Sequence, residues 1–231
     1  MIVKTLDIIV KLVIINNKEV SYKMKTEQSL VELLENLIIN RNEVKNFDIV
    51  IEQNSCWQRH LYLGSITPEV GDSIENFIRF WNQMDDELNL PIEERNPIKI
   101  FINSDGGDLD ATFQMTDAIK MSKTPVWTIN TGTAYSGGLL VFITGVKRIA
   151  YPHSTFLYHE GSTAMGGDAG KFHNYADFYK KQMEMIKEIV MQNTKITDEQ
   201  YQEHIKDDWW FTAKEAIEVG ICDTITDHFV Q

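Results

Sequence analysis

The sequence predicts an α/β fold, a mostly parallel sheet covered by helices, with a small α+β appendage at the N-terminus. Three observations support this. From His60 onward, short β-branched or apolar runs alternate with stretches of helical periodicity, the pattern of parallel strands joined by helices. Residues 8–24 instead alternate apolar and polar around Asn16-Asn17, as a hairpin does. Charge divides at the same place: residues 1–56 hold 7 Lys/Arg and 8 Asp/Glu, against 15 and 26 in residues 57–231. Residues 1–56 are therefore assigned to the appendage and 57–231 to the main domain.

The elements follow in order. Leu30–Ile39 reads as a helix from the spacing of Leu30, Leu33, Leu34, Leu37 and Ile38, and the strand Phe47–Ile51 completes a ββαβ-like unit. In the main domain, the strand Leu61–Leu63 precedes a helix starting at Pro68, with Ile74, Phe77, Ile78 and Trp81 turned inward. An acidic loop, Asp85–Pro97, leads to the strand Ile98–Ile102 and then to Asn103-Ser-Asp-Gly-Gly107. Paired glycines at a strand's C-terminal end make either a plain turn or a loop whose N–H groups approach a ligand unhindered by a Cβ. A helix, Asp108–Ser122, stops before Pro125, and Val126–Ile129, Lys147–Tyr151 and Thr155–Tyr158 are strands.

After the glycine-rich stretch Gly161–Gly167 comes a long helix, Lys171–Asn193. Its stripe of Phe172, Tyr175, Phe178, Tyr179, Met183, Ile186 and Val190 is broad enough for core or an oligomer interface. Capping boxes at Thr197–Gln200 and Thr212–Glu215 open two more helices, the second with Gly220 as its C-cap, and Ile221–Ile225 is the last strand.

Composition narrows the function. The 43% hydrophobic content over 231 residues can fill a sizeable core, and no run reaches the roughly 18 apolar residues of a membrane span. Lys4, Asp7 and Lys11 interrupt the apolar N-terminus, unlike a signal peptide. A net charge of −12 with no basic cluster argues against nucleic acid as a partner. Cys56 and Cys222 stand far apart and in no CxxC spacing, so neither a disulfide framework nor a zinc site is encoded, no cofactor is expected, and a cytoplasmic location is.

Chemistry concentrates at Thr131-Gly-Thr-Ala-Tyr-Ser136-Gly-Gly138, which lies between a β-branched run and the apolar Leu139–Ile143. Ser136 therefore falls at a strand-to-helix turn. Ala134-x-Ser136-x-Gly138 is a relaxed relative of the Gly-x-Ser-x-Gly elbow, and the alternative is a serine that caps a core helix. Among six histidines, His159 ends an apolar strand beside a glycine-rich loop, a setting that His60, His153, His173, His204 and His228 lack. A serine nucleophile needs a base, and the base needs a carboxylate to fix its tautomer. Asp207 and Asp208 are both candidates, and spacing does not choose between them.

Taken together, Ile102-Asn-Ser-Asp-Gly-Gly107, Gly132-Thr-Ala-Tyr-Ser-Gly-Gly138, Tyr158-His159 and Trp210-Phe-Thr-Ala-Lys-Glu-Ala-Ile-Glu-Val-Gly-Ile-Cys-Asp223 resemble the ClpP family, the proteolytic subunit of ATP-dependent Clp proteases. The likeness runs from about His60 to Ile225. It implies Ser136 as nucleophile, His159 as general base and acid, and Asp208, by its register before Thr212-Ala213, as the orienting carboxylate. It also implies oxyanion-hole N–H groups from Gly107 and Gly137, and substrate contacts around Gly106, Tyr135, Glu160 and Gly161. The implied fold is the ClpP/crotonase-like spiral of ββα units. The implied assembly is a homo-oligomer, a heptameric ring or double ring working on polypeptide substrates with an AAA+ unfoldase, in which ring-to-ring contacts can order the segment around Asp208.

The chain departs from the family pattern at Asp105 for proline, Tyr135 for a small residue, Gly137 for methionine and Glu160-Gly161 for Gln-Pro. Two other readings use the same fold: a catalytically idle structural or capsid-associated subunit, and a crotonase-fold acyl-CoA enzyme.

Overall fold

The strand Ile98–Ser104 (β2) is paired on both sides and buries one wholly apolar face, with Ile98, Ile100 and Ile102 fully buried, while Lys99, Phe101 and Asn103 lie on the other. The computed structural model describes residues 58–161 and 167–230, so the hairpin, helix and strand expected in residues 1–56 lie outside the described residues. β2 pairs in parallel with His60–Leu63 (β1) on one side and with Val126–Tyr135 (β3) on the other. The sheet then continues through Lys147–Ala150 (β4) to Thr224–Ile225 (β7), also parallel. Thr155–Tyr158 (β5) leaves this path and pairs with the second half of β3, and Trp209–Thr212 (β6) adds antiparallel to β5. This is the mostly parallel α/β architecture that the alternating pattern predicts.

Helices cover it. Pro68–Glu87 (α1) begins with proline at its first turn and is capped by the Thr67 hydroxyl, which accepts from the Val70 N–H. Its buried residues Val70, Ile74, Ile78 and Trp81 recur at helical spacing and pack it against Leu109–Met121 (α2), which Asp108 caps. The seven-residue helix Gly137–Ile143 (α3) is buried along its whole length. Ala169–Asn193 (α4) runs beside it, followed by Asp198–His204 (α5) and Ala213–Glu218 (α6), both opened by the capping boxes read from sequence. Gly220 takes φ +72°, one residue beyond the C-cap Val219, as a helix-ending glycine does. No helix among the described residues is long and apolar enough to cross a membrane.

Several boundaries differ from expectation, each for a physical reason. Phe80, not Phe77, is buried alongside Ile74 and Trp81. α1 extends to Glu87, past the expected loop start, because Asp85 is no solvated loop acid. It is fully buried and accepts two hydrogen bonds from Arg59 at 2.8 and 2.6 Å and one from the Thr124 hydroxyl at 2.7 Å. Arg59 also donates to the Asn96 carbonyl and lies over the Trp81 ring, 4.6 Å from its centroid. β3 runs six residues beyond Ile129, and β6 was not anticipated because four residues of Trp209-Trp-Phe-Thr212 show no alternation to read. The last strand shrinks to Thr224–Ile225, and Ile221 and Cys222 are buried in the bend before it.

The Arg59–Asp85 pair fixes β1 to α1, and removing one partner leaves the other charge buried and uncompensated. Asp85→Ala should lower unfolding stability by about 3–5 kcal/mol in urea titrations. The double variant Arg59→Met, Asp85→Leu should recover most of that loss. Equal losses in the single and double variants would show that the charge pair is not what Asp85 supplies.

Candidate active site

Ser136 directly follows the last residue of β3 and sits at φ +53°, ψ −122°, a conformation that a residue with a side chain rarely adopts. Such an outlier persists only where its surroundings over-determine it. Here the Ser136 N–H donates to the Leu157 carbonyl at 2.9 Å, and its own carbonyl accepts from Leu139 and Leu140 in the first turn of α3. The serine occupies the N-cap position, yet its hydroxyl caps nothing. The helix-capping alternative therefore does not describe this side chain, which instead lines a cavity of about 470 Å³.

Gly106 and Gly107 bring the β2 loop against the elbow. A Cβ on Gly106, at φ +95°, would lie 2.8 Å from the Ser136 Cβ, and one on Gly107, at φ +150°, would lie 2.1 Å from the Ile66 carbonyl oxygen. Parallel bridging of Ile66 to Gly107 closes this approach, through Ile66 N–H to the Gly106 carbonyl and Asp108 N–H to the Ile66 carbonyl. That pairing leaves the Gly107 N–H unused. Gly137 starts α3, so its N–H has no intrahelical acceptor, and both Gly107 and Gly137 line the cavity with Ser136.

His159 follows the last residue of β5 and lines the same cavity. Tyr135 pairs with Leu157 in register, so Ser136 and His159 emerge at the same end of two adjacent strands. Asp208 precedes β6, which runs antiparallel to β5 with Tyr158 opposite Trp209. The ladder stops there, and extending its register by one step would set Asp208 opposite His159. All three residues flank the same end of neighbouring strands. Asp208 is exposed and outside the cavity lining, and no hydrogen bond joins it to His159 or joins His159 to Ser136.

The remaining predicted contacts divide. Gly161 lines the cavity, and its carbonyl accepts from the Tyr179 hydroxyl at 2.5 Å. Gly106 does not, being buried with its N–H on the Ser104 hydroxyl and its carbonyl on Ile66. Tyr135 and Glu160 lie outside it as well, because neighbours along an extended chain point to opposite sides. The Tyr135 hydroxyl bonds Thr155 at 2.7 Å and its ring meets Trp210 edge-on, while Glu160 is exposed.

Sequence reasoning missed the opposite wall. Tyr175, Tyr179, Gln182, Met183 and Ile186 of α4 face the cavity, although their stripe reads as core or interface. Asp105, Asp108 and Asp110 add carboxylates from the β2–α2 junction. Burial and the neighbouring Glu160 raise the phenol of Tyr179 above its ordinary range.

The site is a serine on a strained elbow, a histidine on the adjacent strand and two open backbone donors. That combination suits attack on an acyl carbon.

A family model described as Clp protease matches residues 82–229. ATP-dependent Clp protease proteolytic subunit 2 of Thermobifida fusca is 32% identical over 171 residues, covering 73% of this chain and 80% of that protein. The subunit 2 of Treponema denticola is 27% identical, covering 80% of this chain and 90% of that protein. Proteolytic subunit 1 of Corynebacterium jeikeium is 29% identical, covering 71% and 96%.

Two glycine substitutions check how the loop is held. Gly107→Ala forces a Cβ into the Ile66 carbonyl and should cost about 1–3 kcal/mol of stability from backbone strain alone. Gly161→Ala meets, among the described residues, only the Tyr179 hydroxyl, at 3.4 Å, and should change stability little. Similar denaturation midpoints for both variants would contradict this packing.

Proposed function

The chain belongs to the Clp protease family, and from that premise we propose that it is a serine endopeptidase that hydrolyses peptide bonds of unfolded polypeptides through Ser136, His159 and Asp208. What carries the reading is the strained Ser136, its hydroxyl making no cap, in a cavity that it lines together with His159, Gly107 and Gly137.

In the proposed reaction, the Ser136 Oγ attacks the scissile carbonyl carbon while His159 accepts its proton. The carbonyl oxygen becomes an oxyanion held by the N–H groups of Gly107 and Gly137. The C–N bond then breaks as His159 returns the proton to the leaving amine, which leaves an acyl ester on Ser136. Water attacks that ester with His159 again accepting a proton, and the proton goes back to Ser136 as the acid departs. Asp208 keeps the imidazole in the required tautomer and stabilises its charged form.

The same premise supports a cytoplasmic homo-oligomer, a heptameric ring or double ring, fed by an AAA+ unfoldase. Phe172 and Phe178 of α4 are 51% and 53% exposed in the protomer, apolar surface that assembly would cover. Contact between rings would also give the exposed Asp208 segment a reason to settle against His159. Residues 1–56 are proposed as a separable appendage.

Three measurements test this. A fluorophosphonate should label the chain at Ser136, and Ser136→Ala should lower peptide turnover by about 10⁶. Labelling also separates this reading from an idle subunit or an acyl-CoA enzyme, neither of which needs an activated serine. Asp208→Asn should lower turnover by about 10⁴ and Asp207→Asn far less, compared at equal oligomeric state; the reverse order would move the carboxylate by one position. Phe178→Glu should shift the particle to smaller species in sedimentation by burying an unpaired charge, and a monodisperse wild-type monomer would refute the ring.

A further inference from the structure

Asp208 is the last residue of a four-residue connection, Ile205–Asp208, between α5 and β6. Both ends of that connection are tied to one residue. At the β6 end, Trp209 pairs with Tyr158 in the antiparallel ladder. At the α5 end, the Tyr201 hydroxyl hydrogen-bonds the Tyr158 hydroxyl at 2.5 Å, their rings tilted with centroids 5.3 Å apart. Tyr158 and Tyr201 are 5% and 2% exposed, so water does not compete for this bond. Across the connection, the Asp207 N–H donates to the His204 carbonyl, and the His204 ring stacks on Trp209 at 4.2 Å. From the other side, Lys187 of α4 pairs with Asp198 and lies over the Tyr201 ring.

Tyr158 is also the residue before His159. We propose that the Tyr158–Tyr201 hydroxyl bridge is a positioning device that fixes the chain bearing Asp208 relative to the strand bearing His159, so that the carboxylate stands across from the imidazole. Both tyrosines are positioning residues, their hydroxyls engaged with each other, although Tyr158 also lines the cavity. The inference rests on the triad reading above and adds what sets the distance between two of its members.

The titratable groups around the pair are Glu160 next to His159, Tyr179, Glu184 and Lys187 on α4, and His204 on α5, and those sharing the cavity with His159 are Asp105, Asp108 and Asp110 of the β2–α2 junction and Tyr175 and Tyr179 of α4. Burial, then the hydrogen bond to Tyr201, holds the Tyr158 phenol far above its usual range, and burial also raises Tyr201. Both therefore remain neutral through the pH range in which a histidine titrates, and any pH shift seen on breaking the bridge comes from another group. The sign follows from charge: a carboxylate facing the imidazole favours the imidazolium and raises its pKa, and withdrawing it lowers that pKa.

The test is the rate of fluorophosphonate labelling of Ser136 against pH and probe concentration in the assembled full chain. Tyr201→Phe should lower the covalent-step rate by about 10- to 100-fold at unchanged half-saturating probe concentration. The acid limb of the profile should move to lower pH. A limb that stays in place, or an unchanged rate, overturns the proposal, because a tyrosine that serves packing alone does not retune the histidine. If Tyr201→Phe does not fold, Tyr158→Phe with Tyr201→Phe removes both polar partners together, leaves no buried hydroxyl unpaired and carries the same expectation. Failure of the wild-type chain to label at Ser136 removes the triad reading and this inference with it, whereas labelling with an unmoved limb removes this inference alone.

Discussion

Asn130 is the constraint on which the arrangement depends. It is fully buried at the point where β3 stops pairing with β4 and starts pairing with β5. Its carboxamide N–H donates to the Thr155 carbonyl at 2.9 Å, its side-chain oxygen accepts from the Gly132 N–H at 3.0 Å, and its main-chain carbonyl accepts from Tyr151 and Ser154. One residue thus satisfies the backbone groups orphaned when the ladder changes partner. Opposite it the register with β2 slips, from Ile102 facing Asn130 to Ser104 facing Ala134, and Asn103 fills the gap by accepting from Thr133. The second half of β3 can then carry β5 and β6 beside it, and Ser136, His159 and Asp208 flank the same end of those three strands.

Strain at Ser136 is sustained by this frame. The elbow is held by one hydrogen bond to β5 and by the fully buried α3, whose start packs against Thr112 and Ser104 so closely that a Cβ on Gly137 would lie 2.4 Å from the Thr112 hydroxyl. A side chain at 137 would require the Thr112 hydroxyl and the end of Ile66 to shift, so glycine fits without rearrangement where the family pattern has methionine.

Much of this was legible in the sequence. The strand-to-helix turn at Ser136, the setting of His159 and both capping boxes depend on local rules, in which a few consecutive residues decide the outcome. Asp85, the run of β3 beyond Ile129, β6 and the α4 wall were not legible, because each is decided by a partner far along the chain. An acid in an acidic loop gives no sign that Arg59 will bury it. Nor can helical periodicity tell an aromatic stripe that covers a neighbouring helix from one that roofs a cavity; Tyr179 does the second through its bond to Gly161. The exclusion of Gly106, Tyr135 and Glu160 from the cavity follows from backbone alternation and from which N–H groups are already engaged, and both require the pairing to be known.

The glycines around the elbow bear on how the molecule reaches its native state. Gly106, Gly107, Gly132, Gly137 and Gly138 each press so closely against another segment that a Cβ would force a neighbour to move. In the unfolded chain those positions are the freest, so fixing them costs more backbone entropy than fixing any equal stretch of the Ile-rich β2. They also close on partners such as Ile66 and Asn103, which are remote in sequence, so the loss falls due before local contacts can offset it. On that ground this corner of the protein is expected to consolidate after the frame around it, so destabilisation elsewhere should reach Ser136 before it unfolds the sheet.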